Sequence, residues 1–261
     1  MGDNLESKAV ILSPPDWHHR FQIQAHWTKD IRNYLYRRAG LHTARRVVEV
    51  GCGTGVLLEE LSSHSHVVIH GLDINPGYLN LAKHNSPGAY LTLGDAHCLP
   101  YINGIFEMAV CHFLLLWVEN PQHVISEMMR VTRSGGAVLA LAEPDYGGLI
   151  DYPPELAILG ELQQESLRRQ GANPQTGRRL GEIFNKADLR SIEVGVLGGQ
   201  WSSPLSQEER DSEWAVLESD LEGAIPGTEL ERLRSLDTLA WESQERILYV
   251  PTFYAWGRVP S

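Results

Sequence analysis

The sequence has only three cysteines, Cys52, Cys98 and Cys111, and no Cys-x-x-Cys pair. An odd count without that spacing makes a disulfide framework unexpected. No apolar run approaches the roughly 20 residues that a membrane-spanning helix needs, and the first residues lack a basic region followed by an apolar core. We therefore expect a cytoplasmic protein without a secretory signal or a membrane partner.

Positive charge is also scarce. There are 22 lysines and arginines against 33 aspartates and glutamates, which gives a formal net charge of -11. A negative field opposes docking on phosphates, and no basic stripe compensates for it. We therefore expect no nucleic-acid partner. Composition leaves the oligomeric state open.

What the chain does contain is a glycine-rich stretch, Val47–Gly55, which reads Val-Val-Glu-Val-Gly-Cys-Gly-Thr-Gly. A short apolar run leads into glycines at positions 51, 53 and 55, and a helical pattern follows from Val56. Glycine lets backbone N–H groups approach a ligand closely because it has no Cβ. Dinucleotide-binding turns read G-x-G-x-x-G, whereas this one reads G-x-G-x-G, which argues against an NAD-dependent oxidoreductase.

A second polar signal follows the next predicted strand, Val67–Leu72, which ends at Asp73. A carboxylate about 20 residues after a glycine turn is placed to accept hydrogen bonds from ribose hydroxyls. Asn75 and Pro76 form a better helix start than Asp73 would, since Asn is a good N-cap and Pro suits the first helical position. We therefore assign Asp73, with the adjacent Ile74, to cofactor binding.

The glycine turn, with an acidic residue two positions before its first glycine, resembles motif I of the class I S-adenosyl-L-methionine (SAM)-dependent methyltransferases. The stretches 106–121 and 127–138 resemble the methyltransferase type 11 group. Two departures are mild: Glu107 replaces the usual Asp of the strand, and Trp117 stands where many members have His. The resemblance implies SAM as the cofactor and methyl transfer by in-line displacement as the activity.

The resemblance also implies the fold class: an α/β, doubly wound, mostly parallel sheet of seven strands in the order 3-2-1-4-5-7-6, with the last strand antiparallel and with helical insertions. We expect a single methyltransferase domain over 1–261, with a cofactor-binding core at 41–145. The segments 1–40, 146–176 and 200–250 would then form a helical cap that selects the substrate.

Site residues follow from the same resemblance. The glycines would approach the methionine part of SAM, Glu49 would orient its amine, and Asp95 with Ala96 would recognise adenine. From the N-terminal helix, Arg20 or Arg32 could reach the cofactor carboxylate as charge-assisted donors. The full set of predicted cofactor-binding residues is Glu49, Gly51, Gly53, Gly55, Asp73, Ile74, Asp95, Ala96, His112 and Arg32.

The catalytic residues remain undetermined. A base is needed only if the acceptor loses a proton on methylation, and His112 and Tyr146 are the candidates. We expect no metal site, because the histidines at 64, 66 and 70 have no partner at metal-ligand spacing.

The expected acceptor is a small molecule. An RNA or protein methyltransferase, and a SAM-binding protein of the same fold without activity, remain alternatives.

The elements predicted beside the glycine turn are helices at 21–39, 56–63, 154–170, 178–187, 207–222 and 229–244, and strands at 67–72, 89–93, 106–111, 137–142, 191–197 and 252–258. Capping boxes are predicted at Ser206 and Thr228, and Pro14 and Pro15 are expected to block a helix before residue 20. Gly40 is expected to cap the 21–39 helix, and a further helix should begin at Asn120 and Pro121 and end at Ser134-Gly135-Gly136.

Overall fold

The computed structural model describes residues 13–198 and 206–261. The first 12 residues of the predicted 1–40 segment, and residues 200–205 of the 200–250 segment, lie outside these ranges. The helices are α1 (Pro14–Trp27), α2 (Lys29–Ala39), α3 (Val56–Ser62), α4 (Pro76–Asn85), α5 (Pro121–Val131), α6 (Ala157–Arg169), α7 (Leu180–Lys186), α8 (Gln207–Leu221) and α9 (Gly227–Glu242). The strands are β1 (Arg46–Val50), β2 (Val68–Asp73), β3 (Tyr90–Leu93), β4 (Phe106–Cys111), β5 (Thr132–Pro144), β6 (Ile150–Tyr152), β7 (Arg190–Val196), β8 (Ile247–Tyr249) and β9 (Thr252–Arg258).

Seven strands form one sheet in the order β3-β2-β1-β4-β5-β9-β7. The pairs from β3 to β5 are parallel, and β9 runs antiparallel to both β5 and β7. Strands β6 and β8 pair separately, so β7 and β9 are the sixth and seventh strands of the main sheet. The predicted order and the antiparallel last strand are therefore confirmed.

Helices cover both faces of the sheet. One buried cluster packs α5 and α7 against β1, β4 and β5, with Phe106, Met128 and Phe184 almost completely buried. The other packs α2 and α3 on the opposite face, where Leu35 and Leu58 are fully buried. Parallel strands buried on both sides read as continuous apolar runs, which explains the composition of β4 and β5.

The prediction for the N-terminal helix is wrong in two respects. Instead of blocking the helix, Pro14 and Pro15 begin it, because proline is tolerated where no backbone N–H partner is needed. The predicted 21–39 helix is interrupted at Thr28, whose Oγ1 lies 3.0 Å from the carbonyl oxygen of Gln24 and competes with the helical pattern. The glycine cap predicted at Gly40 is confirmed by its φ of 88°.

Two smaller predictions also need correction. Helix α5 ends at Val131, before the predicted Ser-Gly-Gly stop, because β5 already begins at Thr132. The capping box at Ser206 is confirmed, but α9 begins one residue before Thr228 without a side-chain cap. The two short strands β6 and β8 were not predicted.

Helices α6, α8 and α9 form a cap with a core of its own, in which Leu159, Trp214 and Leu233 are buried. Arg246 is buried beside it, with both Asp151 and Asp237 at 2.5 Å. In the described parts of the chain, none of the helices combines the length and the apolar composition that crossing a bilayer requires.

Candidate active site

The turn after β1 carries three glycines with positive φ: 73° at Gly51, 50° at Gly53 and 86° at Gly55. The N–H groups of Gly51 and Cys52 donate to the carbonyl oxygen of Leu72, at 2.8 and 2.9 Å, which fixes the turn to β2. Gly51 and Gly53 line a cavity at the carboxyl ends of the strands. Gly55 does not line it, and a Cβ there would lie 3.0 Å from the Cα of Ala82, so its role here is to let α3 pack on α4.

Two carboxylates stand beside this turn. Glu49 is 3% exposed and lines the cavity, and its Oε2 atom contacts no hydrogen-bond donor in the described residues. Burial raises the pKa of Glu49 well above its usual value. An orphan buried acceptor is costly unless a donor reaches it, so Glu49 fits the amine of a methionine group.

Asp73 also lines the cavity, but it is not free of protein contacts. Its Oδ2 accepts from the N–H of Gly53 and its Oδ1 from that of Asn75, both at 2.8 Å. Burial raises its pKa, and these two hydrogen bonds oppose the shift. A carboxylate offers about four acceptor positions, so two remain for ribose hydroxyls. Ile74, which is 71% exposed, forms the rim.

Asp95 and Ala96 do not line the cavity. Oδ1 of Asp95 accepts from the backbone N–H of His97 and lies 2.8 Å from its ring nitrogen Nδ1. These contacts lower the pKa of Asp95, and Ala96 beside it is buried. Their predicted recognition of adenine stays a prediction.

His112 lies at the cavity wall with Nε2 2.9 Å from Oγ1 of Thr28. Burial, with Arg32 nearby, lowers its pKa well below the usual value, so the ring is neutral at neutral pH. Tyr146 lines the same cavity, and burial raises its pKa to about 12. The lowered pKa makes His112 a weak base, but its neutral ring has a lone pair that can accept a proton, whereas Tyr146 keeps its own proton, so His112 is the better candidate of the two.

Arg32 is not brought to the cavity. Its guanidinium is 1% exposed, forms an ion pair with Glu60 and donates to the carbonyl oxygen of Ala25 and to Thr28. Every face of the group is thus occupied by protein, and the predicted contact with a cofactor carboxylate has no support in this geometry. Arg20 does line the cavity, with one amino nitrogen 2.6 Å from Glu213.

The outer wall of the cavity comes from residues that the sequence pattern did not single out. They belong to α1, α4, α6 and α8, and include Trp17, Phe21, Tyr78, Gln163, Gln170, Val216 and Asp220. Their separation along the chain explains why no local motif marks them. Together with the glycine turn they enclose a volume of about 420 Å³.

Comparison with known proteins identifies the family of this scaffold. A family model described as a methyltransferase domain (Methyltransf_11) matches residues 48–140. A phosphatidylethanolamine N-methyltransferase of Cereibacter sphaeroides is 38% identical over 154 residues, which cover 53% of this chain and 75% of that protein. A demethylmenaquinone methyltransferase of Renibacterium salmoninarum is 30% identical over 122 residues, 46% of this chain and 51% of that one. The chain spans only about half the length of several relatives it matches.

A solved structure has the same fold. The phosphoethanolamine N-methyltransferase 2 of Haemonchus contortus, in complex with SAM, superimposes with a TM-score of 0.59 at 15% identity, covering 96% of this chain and 61% of that one. The sheet order, the glycine turn and the sequence relatives agree, and the chain belongs to the class I SAM-dependent methyltransferases.

Proposed function

We propose that this enzyme transfers the methyl group of SAM to a small-molecule acceptor held between the glycine turn and the cap. The observation that carries the proposal is the single cavity that Gly51, Gly53 and Asp73 share with Gln163 and Asp220. A cavity of about 420 Å³ walled by cap helices suits a small ligand, since ligand sites are typically clefts of a few hundred Å³. A folded protein or RNA acceptor would need a wider approach.

The chain's own residues would hold the cofactor in the following way. Glu49 would accept from the amine of the methionine part, and Asp73 from the ribose hydroxyls. The backbone of the glycine turn would approach the methionine part, with Ile74 at the rim. Asp95 and Ala96 remain the proposed adenine contacts; Asp95 binds His97 through Oδ1, so its Oδ2 would be the acceptor for adenine.

Bound SAM supplies a methyl group attached to a positively charged sulfur, and the sulfur keeps the electron pair of the S–CH3 bond when that bond breaks. The protein's task is then to align the acceptor with the methyl carbon and to exclude water, and positioning of this kind can supply much of a rate enhancement. The aromatic side chains Trp17, Phe21 and Phe113 line the cavity and would exclude water from it. Where the acceptor loses a proton, neutral His112 is the proposed base.

We also propose that different segments of the chain bind the cofactor and select the acceptor. Residues 41–145 would bind the cofactor, and the segments 1–40, 146–176 and 200–250 would select the acceptor within one domain. The cavity wall supports this division, because α1, α6 and α8 contribute its outer side.

The test is transfer of labelled methyl from SAM in the presence of a cell extract separated into small molecules, RNA and protein. We expect label in the small-molecule fraction, and its loss with the variant Glu49→Gln. Label in RNA or protein would contradict the proposed acceptor class. Binding of SAM without transfer to any fraction would indicate a protein without methyltransferase activity.

A further inference from the structure

Among the residues that the structure describes, a carboxylate at the cap end of the cavity forms no ion pair. Asp220 on α8 lines the cavity, and the ion pairs among residues 13–198 and 206–261 do not include it. Its Oδ1 accepts from the side-chain amide of Gln170 at 2.9 Å, and its Oδ2 faces that of Gln163 at 3.4 Å. Neutral amide donors orient a carboxylate but leave its charge in place.

The other charged groups at this end already compensate each other. Arg20, which is 6% exposed, lies 2.6 Å from Glu213 and stacks over the ring of Trp27 at 5.2 Å. This pair is neutral as a unit, so Asp220 gives the cap end of the cavity a net negative charge. A half-buried charge of this kind is costly unless a cation reaches it.

The rest of the cavity also suits a cation. Aromatic side chains line the same cavity, among them Trp17, Phe113 and Trp117. Aromatic rings attract cations through their quadrupole, and they exclude water that would weaken a charge pair.

Outside this cavity, a cleft of about 650 Å³ runs between α1 and α8. Arg20 and Val216 line both the cleft and the cavity, so only a thin partition separates the two. Among the described residues, the cleft carries three carboxylates, Asp16, Glu208 and Asp211, of which Glu208 lies 3.5 Å from His19 and Asp211 lies 3.5 Å from Arg234. The cleft therefore keeps only a small excess of negative charge, which favours cations over anions near the partition.

From these contacts we propose that the acceptor carries an ammonium group and that Asp220 binds it, with Gln163 and Gln170 holding the carboxylate in place. The inference rests on the proposed function, because it names the substrate class of the same cavity. It makes Asp220 a specificity-determining residue on the wall opposite the glycine turn.

Three probes that share a 2-phenylethyl group and differ in the charge of the polar group test the proposal: 2-phenylethylamine, 2-phenylethanol and 3-phenylpropanoate. Each is titrated by calorimetry into the protein saturated with S-adenosylhomocysteine (SAH). We expect the amine to bind at least about tenfold more tightly than the other two, since a charge-assisted hydrogen bond has about that effect.

The variant Asp220→Asn should remove this preference and leave SAH binding unchanged. Glu218→Gln is the matched control, because Glu218 lies on the same helix, lines neither cavity and pairs with Arg234 at 2.6 Å. It should keep the wild-type preference for the amine.

Equal binding of amine and alcohol, a preference for the carboxylate, no heat from any probe, or an unchanged amine preference in Asp220→Asn would each overturn the proposal. Should Asp220→Asn fail to fold, the wild-type order of the three probes decides alone. Failure of SAH itself to bind would instead overturn the proposed function, so the two failures are distinguishable.

Discussion

The two walls of the cavity are built by different means. The cofactor wall is formed by backbone and by carboxylates within one short stretch of chain, where Glu49, Gly51, Gly53 and Asp73 lie on adjacent strands and their turns. The cap wall is formed by side chains from α1, α6 and α8, and the first and last of these helices are about 200 residues apart in the sequence. The first depends on local conformation and the second on long-range ion pairs, so substitutions should damage the two walls independently.

The largest effect is expected from Arg246→Ala in the cap. Arg246 is 6% exposed and bridges Asp151 and Asp237, whose carboxylates would be left buried and unpaired. Breaking a buried ion pair by removing one partner costs about 3–5 kcal/mol. We expect a loss of that size in urea unfolding, early proteolysis within 206–250, and SAH affinity that is nearly intact.

Arg234→Ala is the control for that prediction, because Arg234 pairs with Asp211 and Glu218 at the surface. Exposed ion pairs contribute at most about 1 kcal/mol. Equal losses in both variants would show that the buried cluster does not stabilise the cap, and loss of SAH binding in Arg246→Ala would show that the two walls are not independent.

The same contrast explains how far the sequence could be used to predict this molecule. The glycine turn and the position of Asp73 follow from short-range patterns, because parallel strands are read as apolar runs and turns as glycines, whereas the strand order was implied by the family resemblance. The break at Thr28 was missed because a threonine inside an amphipathic pattern carries no strong stop signal. Asp220 and Gln163 were missed because only tertiary packing brings them to the cavity.

Arg32 shows the same limit within the predicted site. Its position on an N-terminal helix was predicted correctly, but the direction of its side chain was not, because the guanidinium pairs with Glu60 of α3. Arg20, one of the two candidates, is the one that lines the cavity. A motif can therefore place an element near a site without fixing which of its side chains faces the ligand.

On the cofactor side, Gly55→Ala should be clearly destabilising. With φ of 86° an alanine is strained, and its Cβ would also lie 3.0 Å from the Cα of Ala82. Left-handed backbone costs about 1–2 kcal/mol, and overpacking adds about 1–3 kcal/mol.

Gly135→Ala separates the backbone strain from the overpacking, because Gly135 has a φ of 72° and, in the described residues, no atom within 4 Å of an added Cβ. In urea unfolding it should lose only the first of these two contributions. Equal losses at the two positions would show that α3 and α4 can separate slightly at no cost.

Asp73→Asn removes the charge and replaces one acceptor oxygen with an amide donor, so it weakens the ribose contact and also breaks one of the hydrogen bonds from Gly53 and Asn75. Hydrogen bonds to a charged group contribute about 1.5–3 kcal/mol, so we expect SAM affinity to fall by about 100-fold, with a loss of about 1–3 kcal/mol of unfolding free energy. Asp95→Asn, where the carboxylate is more than half exposed and bound to His97, should lower affinity only a few-fold. Calorimetric titration of SAM into both variants checks the order, and a larger effect at Asp95 would reverse it.

The smallest effect is a pH dependence centred on Glu143, which lies behind the cavity-lining residues Leu114 and Leu116. Glu143 is fully buried and accepts from the N–H groups of Leu114, Leu115 and Leu116, and burial raises its pKa to about 7. The folded state therefore binds a proton between the ordinary glutamate pKa of 4.5 and about pH 7, where the unfolded chain has released it. Stability that this group contributes is complete below pH 4.5 and is lost as the pH rises towards 7.

Glu143→Gln keeps the shape and one acceptor oxygen but cannot titrate. Relative to this variant, the wild-type protein should lose about 1 kcal/mol of unfolding free energy between pH 5 and pH 6, since one proton contributes at most about 1.4 kcal/mol per pH unit. Neutral His112 acts in the opposite direction, because the unfolded chain binds a proton below about pH 6.5 that the folded state does not, but it is present in both proteins and cancels. Parallel stability curves from pH 5 to pH 8 would mean that the three backbone N–H groups keep Glu143 ionised, and that the cofactor wall is held by a fixed charge as the cap wall is.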